Sequence, residues 1–327
     1  MRASFNRRRA IVAMGAAGLA SGLTHRTGLA QSDRPVRFIL PISAGSGIDT
    51  IMRASAPSLG KALGQTVVVE NQPGAGGIVG TAAMIKSPPD GLTLSMVSNN
   101  HVIYPSVLKS VPFDPVQDIT PIAVIGATPM VLVVNASLPV NNLREFIALL
   151  KSRPGKYSYA SSGNGTILHL AAELFKDLTR TFSTHIPYRG FGPMMQDIIG
   201  GQVEWGVGAL PAVAGQVKAG KLKALCIASL GRSPAAPDIP TSAEAGLPFF
   251  VVEGWFAIIG PKGLAVDQVN RIHRAISTTY ASAEVREAMA RQGNLVRLQT
   301  PDQSRDFFEN ELRRYARIVK IAGVVPQ

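Results

Sequence analysis

The chain repeatedly places a loop rich in small residues between an apolar, strand-like run and a helical pattern. The first example joins the run Val36–Leu40 to a helical pattern over Asp49–Leu63 through a loop of mostly Ser, Ala and Gly. Repeats of this β–loop–α kind predict parallel strands with helices on both faces of the sheet. The 327 residues suffice for two such domains. The alternation therefore predicts an α/β protein.

The elements fall into two successive series. The first contains strands at Thr66–Glu70 and Leu92–Val97, helices at Ile78–Lys86 and Ile103–Leu108, and two short strands, Ile122–Gly126 and Met130–Val134, separated by a break at Thr128-Pro129. The second contains helices at Leu143–Ser152, Ile167–Leu178, Met194–Ile199 and Ala212–Lys218, and strands at Tyr157–Ser161, Thr184–Pro187, Val203–Val207 and Leu222–Ala228. Helices at Val266–Ala281, Ala283–Gln292 and Gln303–Ile321 end the chain.

Two long apolar segments, Thr120–Val134 and Phe249–Pro261, lie where one series gives way to the other. Two crossings between two lobes form a hinge with a cleft between them. Ligands of open α/β sheets bind beyond the carboxyl ends of the strands. We therefore expect a first lobe made of residues 31–128 and 252–327, and a second lobe made of residues 129–251.

The N-terminal residues have the pattern of a secretory signal. Three arginines at Arg7–Arg9 precede an apolar run over Ala10–Leu23, and small residues at Gly28–Ala30 form a cleavage site. The adjacent arginines also admit the twin-arginine route. Removal of residues 1–30 would take away five arginines and lower the net charge from +12 to about +7. We expect a soluble, exported protein.

Several function classes lack their motifs. The basic residues are spread along the chain without the aromatic interleaving of a nucleic-acid site, so no nucleic acid is expected. Val79 replaces the third glycine of a dinucleotide fingerprint, and Ala44 breaks the Gly-x-Ser-x-Gly elbow around Ser46. The histidines lack metal-ligand spacing. The sequence predicts no cofactor, no metal and no catalytic residue.

The loop after the first strand has the features of an anion site. Ser46 is predicted to cap the amide of Asp49, while Asp49 reaches back to the amide of Ser46. The small residues Ala44–Gly47 leave backbone amides accessible at the start of a helix, where negative charge is favoured. Similar loops follow four other strands, at Pro73–Gly80, Ser98–His101, Ser161–Thr166 and Pro187–Pro193. Their convergence on the cleft predicts a carboxylate ligand.

Several motifs together resemble one known family. Pro-x-x-Ala-Gly-x-x-x-Asp, Glu-Asn-Gln-Pro-Gly-Ala-Gly-Gly, Ser-x-Gly-x-Gly, His-x-Pro-Tyr-Arg-Gly and Gly-Gly-Gln-Val-Glu occur in this order, after the arginine-rich signal. The chain thus resembles, over essentially its whole length, the Bug (Bordetella uptake gene) receptors of tripartite tricarboxylate transporters. The resemblance implies a periplasmic type II "Venus flytrap" fold, a small organic carboxylate such as a di- or tricarboxylate or aromatic acid, and delivery to a membrane permease. We expect a monomer.

The loops and the resemblance together give the candidate ligand-binding residues Ser43, Ala44, Gly45, Ser46, Gly47, Asp49, Gly76, Gly77, Asn99, His101, Ser161, Ser162, Gly163, Asn164, Gly165, Thr166, Tyr188 and Arg189. Arg189 either faces the cleft or pairs with a surface acid. Gly45-Ser46 replaces the family's usual Gly-Gly, and Gly206–Leu210 lacks its usual Asp, which disfavours an amine-bearing ligand.

Two other functions stay open at this point. A secreted hydrolase would use Ser162 or Ser46 with His169 or His101. A sensor that presents its loaded form to a membrane protein would share the receptor fold.

Overall fold

The computed structural model describes residues 34–326, so the predicted signal peptide lies outside the described residues. Ten strands are present in this range: β1 Val36–Leu40, β2 Val67–Asn71, β3 Thr93–Ser98, β4 Ile119–Asn135, β5 Ser158–Ser161, β6 Thr184–Pro187, β7 Trp205–Ala209, β8 Leu222–Ile227, β9 Glu253–Pro261 and β10 Leu295–Val296. Ten α-helices accompany them: α1 Gly47–Leu63, α2 Ile78–Ile85, α3 Asn100–Val107, α4 Leu143–Ser152, α5 Ile167–Thr179, α6 Phe191–Gly200, α7 Leu210–Lys218, α8 Val266–Ala281, α9 Ala283–Arg291 and α10 Pro301–Ile321.

Strand β4 belongs to two sheets. Its first half pairs antiparallel with β9 and β10, and its second half pairs antiparallel with β7 and β8. The strand order is β2-β1-β3-β9-β4-β7-β5-β6. Strand β1 runs parallel to β2 and β3, and β5 runs parallel to β6 and β7. The predicted two-lobed α/β fold is confirmed, and we call the part around β1–β3 and β9 the first lobe and the part around β5–β8 the second lobe.

The predicted break at Thr128-Pro129 is wrong, because β4 is one continuous strand of 17 residues. Pro129 forms the last pair with β9, opposite Glu253, and pairing with β7 starts at the next residue, Met130. Pro129 has no N–H to donate, but it lies where β4 changes its partner from β9 to β7. Its missing donor therefore interrupts neither the β4–β9 nor the β4–β7 hydrogen bonds. The register also shifts after Pro121, so that proline lies at an irregularity of the ladder.

Each lobe has its own apolar core. In the second lobe, Trp205 packs edge-on against Phe146 and Phe175, with ring centroids 5.6 and 5.3 Å away. In the first lobe, two clusters of buried side chains fill the space around the sheet. Leu170 of α5 is buried in one of these first-lobe clusters, together with Trp255. The two lobes therefore share an apolar contact.

Helix α10 braces the crossing that leads into β9. Asn99 donates to the Tyr315 hydroxyl at 2.7 Å and to the Glu253 carbonyl at 3.1 Å. Arg314 donates to the Val251 carbonyl at 3.0 Å, and the Trp255 indole N–H donates to Glu311 at 2.8 Å. These bonds join α10 and the start of α3 to the segment around Val251–Trp255, which is the second of the two predicted crossings between the lobes. This part of the predicted hinge is therefore attached to the first lobe. The exact lobe boundaries stay predictions.

Within residues 34–326, no helix is both long and apolar enough to cross a membrane.

Candidate ligand-binding site

The loop before α1 is shaped by reciprocal capping. The Ser46 hydroxyl accepts from the Asp49 amide at 3.4 Å, as the sequence predicts. The carboxylate of Asp49, however, accepts from the Gly45 amide at 2.9 Å, so the predicted bond to the Ser46 amide is wrong. The Ser46 N–H already donates to the Ser43 carbonyl within a tight turn. Gly45 adopts φ +79°, a conformation that glycine reaches without strain.

Asp49 is a structural anchor of this loop. It is 4% exposed, and its other carboxylate oxygen accepts from Arg53 at 2.9 Å and Asn71 at 3.0 Å. Burial alone would raise the pKa of Asp49, but the donors Gly45, Arg53 and Asn71 outweigh burial and hold that pKa below its usual value. Both carboxylate oxygens thus have partners inside the protein. The network orients the amides of the loop.

The backbone of this loop is open to a ligand. Ser43, Ala44, Gly45 and Gly47 are all exposed. A Cβ atom added to Gly47 would meet no protein atom within 4 Å. The Gly45, Ser46 and Asp49 amides donate within the protein, so it is the exposed backbone around Gly47 that offers an anion the start of α1, where the helix dipole favours negative charge.

The second glycine-rich loop packs against the first. Gly76 and Gly77 have φ values of +71° and +125°, and the Tyr104 hydroxyl donates to the Gly76 carbonyl. A Cβ atom at Gly77 would lie 2.8 Å from the Pro41 carbonyl oxygen. Close approach and backbone conformation both require glycine here. This loop fixes α3 against the first loop.

Asn99 and His101 lie in the interior, 1% and 2% exposed. Asn99 contributes to the brace at α10 described above. His101 Nε2 is 2.7 Å from the Pro115 carbonyl, and its ring stacks on Phe113. Burial lowers the pKa of His101 to about 4. His101 also lines a cavity of about 40 Å³ beneath the first-lobe loops.

The second-lobe loop is built from small polar side chains. Thr166 caps α5 and donates to the Gly163 carbonyl at 2.8 Å, while Ser162 donates to the Thr166 hydroxyl at 3.2 Å. Asn164 is exposed. The Tyr188 amide donates to the Ser161 carbonyl at 2.9 Å, so the loops after β5 and β6 are adjacent.

Two neighbouring side chains of the loop after β6, Tyr188 and Arg189, have different surroundings. The Tyr188 hydroxyl donates to Asp197 at 2.6 Å, and burial, followed by this bond, raises the pKa of Tyr188 to about 12. Arg189 is exposed, and no acid within residues 34–326 forms an ion pair with it. Arg189 is thus the unpaired cation of these loops.

A pair of stacked histidines supports the second-lobe loop from below. The rings of His169 and His185 are parallel, with centroids 4.0 Å apart. His169 Nδ1 accepts from the Gly165 amide at 3.0 Å, and His185 Nε2 lies 2.6 Å from the Ser161 hydroxyl. This support could not be predicted from the sequence, because the spacing of two residues 16 positions apart does not indicate a contact.

The two lobes touch at Gly165. This residue has φ +69°, and an added Cβ atom would lie 2.7 Å from Val107 in α3. Glycine therefore lets the second-lobe loop lie directly against a first-lobe helix. The loop carrying Ser161–Thr166 is in this way held against helix α3 of the first lobe.

The serine–histidine pairs of the hydrolase alternative do not form. Ser162 bonds to Thr166 and Ser46 to the Asp49 amide, while His169 and His101 bond to the backbone. The serine that does contact a histidine, Ser161, is fully buried. In the described part of the chain, no cluster of His, Cys, Asp or Glu is arranged to hold a metal ion.

The fold and the exposed loops define a two-lobed α/β binding protein. The family model for the tripartite tricarboxylate transporter family receptor matches residues 51–324, and the chain belongs to this family. It is 39% identical to the protein BugT of Bordetella pertussis over 292 residues, 89% of this chain and 90% of BugT. The family is one of periplasmic solute receptors.

Two solved structures have the same fold. The periplasmic binding protein BugD is 31% identical, with a TM-score of 0.82, over 90% of this chain and 99% of BugD. The Rhodopseudomonas palustris protein Rpa4515, solved with adipate, is 29% identical, with a TM-score of 0.84, over 90% of this chain and 99% of that chain.

Proposed function

We propose that the protein binds a small organic carboxylate between its lobes and delivers it to a membrane permease. The observation that carries the proposal is the exposed start of α1, where the Asp49 network holds the loop and Gly47 leaves the amides accessible. In this proposal the hydroxyl and amide groups of Ser162, Asn164 and Thr166 bind the ligand from the second lobe. Rpa4515, whose ligand is the dicarboxylate adipate, supports the ligand class.

The ligand is held mainly by backbone amides and hydroxyl groups. The described loops offer one unpaired cation, Arg189, whereas the amides at the start of α1 are fixed by capping before any ligand arrives. Preorganised donors lose little conformational freedom on binding. A site of this kind recognises the carboxylate without a permanent salt bridge.

The lobes close around the ligand by bending at β4 and at the segment before β9. Both crossings are placed between the lobes, near the predicted boundaries at residues 128/129 and 251/252. The receptor acts as a periplasmic monomer, and its closed form is recognised by a permease of the tripartite tricarboxylate type. The sensor alternative shares this fold, and a pull-down of membrane proteins with the loaded receptor separates the two roles.

Gly47→Val is expected to weaken carboxylate binding at least tenfold, about 1.4 kcal/mol. A Cβ atom at this position meets no protein atom within 4 Å, so we expect the valine to fill space used by the ligand and to leave the fold intact. Calorimetry with a panel of di- and tricarboxylates measures the loss. Gly215→Val is the matched control, because Gly215 is also exposed and also unobstructed, but lies in α7.

The competing possibility is a site that depends on a salt bridge. If Arg189→Ala abolishes binding while Gly47→Val leaves it unchanged, the amide site at α1 is wrong. If no carboxylate in the panel binds or stabilises the unmodified protein, the ligand class itself is wrong.

Ser162→Ala is expected to reduce the affinity by about 0.5–1.5 kcal/mol, because a hydroxyl donor to the ligand would be lost. Ser162 is half-buried, and its hydroxyl bonds only to the Thr166 hydroxyl among the described residues, so the fold is little affected. The same calorimetric panel measures this change. An unchanged affinity would remove Ser162 from the binding site.

A further inference from the structure

The small first-lobe cavity contains buried polar atoms that lack partners. It measures about 40 Å³ and lies between the carboxyl ends of β1 and β3 and the helices α2 and α3. Thr81, Asn100 and His101 line it, and Thr81 Oγ1, Asn100 Oδ1 and His101 Nδ1 have no hydrogen-bond partner among residues 34–326. Thr81 and His101 are 1% and 2% exposed. Unpartnered buried groups of this kind carry a free-energy cost that an occupant would remove.

The bonding of His101 fixes what its free nitrogen can do. Nε2 lies 2.7 Å from the Pro115 carbonyl oxygen, which can only accept, so Nε2 carries the hydrogen. Nδ1 is then an acceptor without a donor. Burial keeps the ring neutral, since it lowers the pKa of His101 to about 4.

The hydrogen bonds of Asn100 likewise leave one acceptor atom without a donor. The Tyr104 hydroxyl already donates its hydrogen to the Gly76 carbonyl, so its oxygen can only accept from the Asn100 side chain. The NH₂ group of Asn100 therefore faces Tyr104, and Oδ1 is the atom without a partner. The cavity thus presents two acceptors, together with the adaptable hydroxyl of Thr81.

Charge restricts the occupant further. A carboxylate oxygen has no hydrogen to offer to His101 Nδ1 or Asn100 Oδ1 and would meet two acceptors. A cation would find no acidic side chain in the lining and would lie near the starts of α2 and α3, whose positive dipole ends repel it. A neutral O–H group fits both conditions. The volume is enough for one to about three water-sized groups.

We propose that this cavity is a binding site for a neutral O–H donor, held by His101 Nδ1, Asn100 Oδ1 and the Thr81 hydroxyl. The O–H group comes either from an ordered water or from a hydroxyl of the ligand; the second source rests on the proposed function. In both cases the site rejects a second carboxylate at this position. Where the O–H group belongs to the ligand, the site also lets the first lobe distinguish ligands by their neutral polar groups.

The first experiment is thermal unfolding of Thr81→Val without ligand, with the same change at Thr184, an exposed residue of β6, as the control. The change keeps the side-chain shape and removes the hydroxyl. If an O–H group fills the cavity, Thr81→Val lowers Tm relative to the control. If the cavity is dry, removal of an unpartnered hydroxyl raises Tm, and this result overturns the proposal.

The second experiment identifies the source of the O–H group. Calorimetry compares malate with succinate, which differ by one hydroxyl. For a ligand hydroxyl, malate binds about three- to tenfold tighter, and Thr81→Val abolishes the preference. For water, the two acids bind alike, and a crystal structure at a resolution that shows ordered water has one within hydrogen-bond distance of His101 Nδ1.

A carboxylate oxygen or a cation at that nitrogen in the crystal would contradict the proposal. If neither acid binds, the proposed function fails for these ligands, whereas the unfolding measurement and the ligand-free crystal structure still decide whether an O–H group occupies the cavity.

Discussion

Gly165→Ala is expected to reduce carboxylate affinity at least a hundredfold, about 2.7 kcal/mol. The added Cβ atom would lie 2.7 Å from Val107, closer than real Cβ contacts allow, so the Ser161–Thr166 loop could no longer lie against α3. The left-handed backbone of Gly165 adds a strain of about 1–2 kcal/mol for any other residue. Both effects push the loop away from the first lobe.

Three measurements separate blocked closure from general instability. Calorimetry gives the affinity, thermal unfolding gives the stability, and small-angle scattering with saturating dicarboxylate shows whether the radius of gyration still decreases. Val107→Gly in the same chain removes all three atoms that clash, the Cβ and both methyl groups, and is expected to recover part of the affinity. An affinity of Gly165→Ala equal to that of the unmodified protein would show that the lobes need no contact at this point.

Acidification from pH 6.5 to pH 5 is expected to destabilise the protein through the stacked histidines. Burial, followed by the neighbouring His169 and Lys176, lowers the pKa of His185 to about 3, and burial also lowers the pKa of His169. The unfolded chain takes up these protons near pH 6.5, whereas the folded protein resists them. The stability supplied by the neutral rings is thus complete above pH 6.5 and is lost as the pH falls towards 3.

The groups around His169 and His185 disfavour protonation of the two rings. The positive charge of Lys176 disfavours a proton on either histidine. The carboxylate of Glu173 would favour that proton, but it is already bonded to Lys176 at 2.6 Å and to the Tyr159 hydroxyl. A proton on His169 Nδ1 would also oppose the Gly165 amide that donates to it. Protonation would therefore loosen the second-lobe loop, but the folded protein keeps the His185 ring neutral between pH 6.5 and 5, so carboxylate affinity should change little in this range.

Urea unfolding at several pH values measures the effect. His185→Gln is expected to reduce the loss of unfolding free energy between pH 6.5 and 5 by about 1.5 kcal/mol, the contribution of one histidine that stays neutral when folded. His273→Gln in α8 is the control for loss of an imidazole elsewhere. The range stops at pH 5 because carboxylates begin to titrate below it. Equal slopes for His185→Gln and the unmodified protein would contradict the assignment.

Local signals predicted the helices well. Helix α4 begins and ends as expected at Leu143–Ser152, because Asn142 caps its start and Pro154-Gly155 follows its end. The strand predictions failed where the extent of a strand depends on which strands pair with it. Pro129 looks like a break in the sequence, and only the change of partners from β9 to β7 makes it acceptable inside β4. Strand β10 has two residues and gave no pattern.

The candidate site shows the same limit. The loops were predicted because small residues after a strand have local consequences, and the capping role of Ser46 followed from spacing alone. The burial of Asn99 and His101 could not be predicted, since it depends on Tyr315, Pro115 and Phe113, which are distant in sequence or in other elements. The stacked histidines were missed for the same reason. Whether the candidate residues contact the ligand stays a prediction.

The position of β9 determines the order in which the chain can fold. This strand lies between β3 and β4 in the sheet, yet in the sequence it begins some 120 residues after the end of β4. The first-lobe sheet is therefore incomplete until the last quarter of the chain has joined it, whereas the elements from β5 to β8 form one uninterrupted segment. Non-local pairing of this kind slows folding. A nascent chain would accordingly complete its second lobe first and remain without a finished first lobe until its C-terminal helices are available.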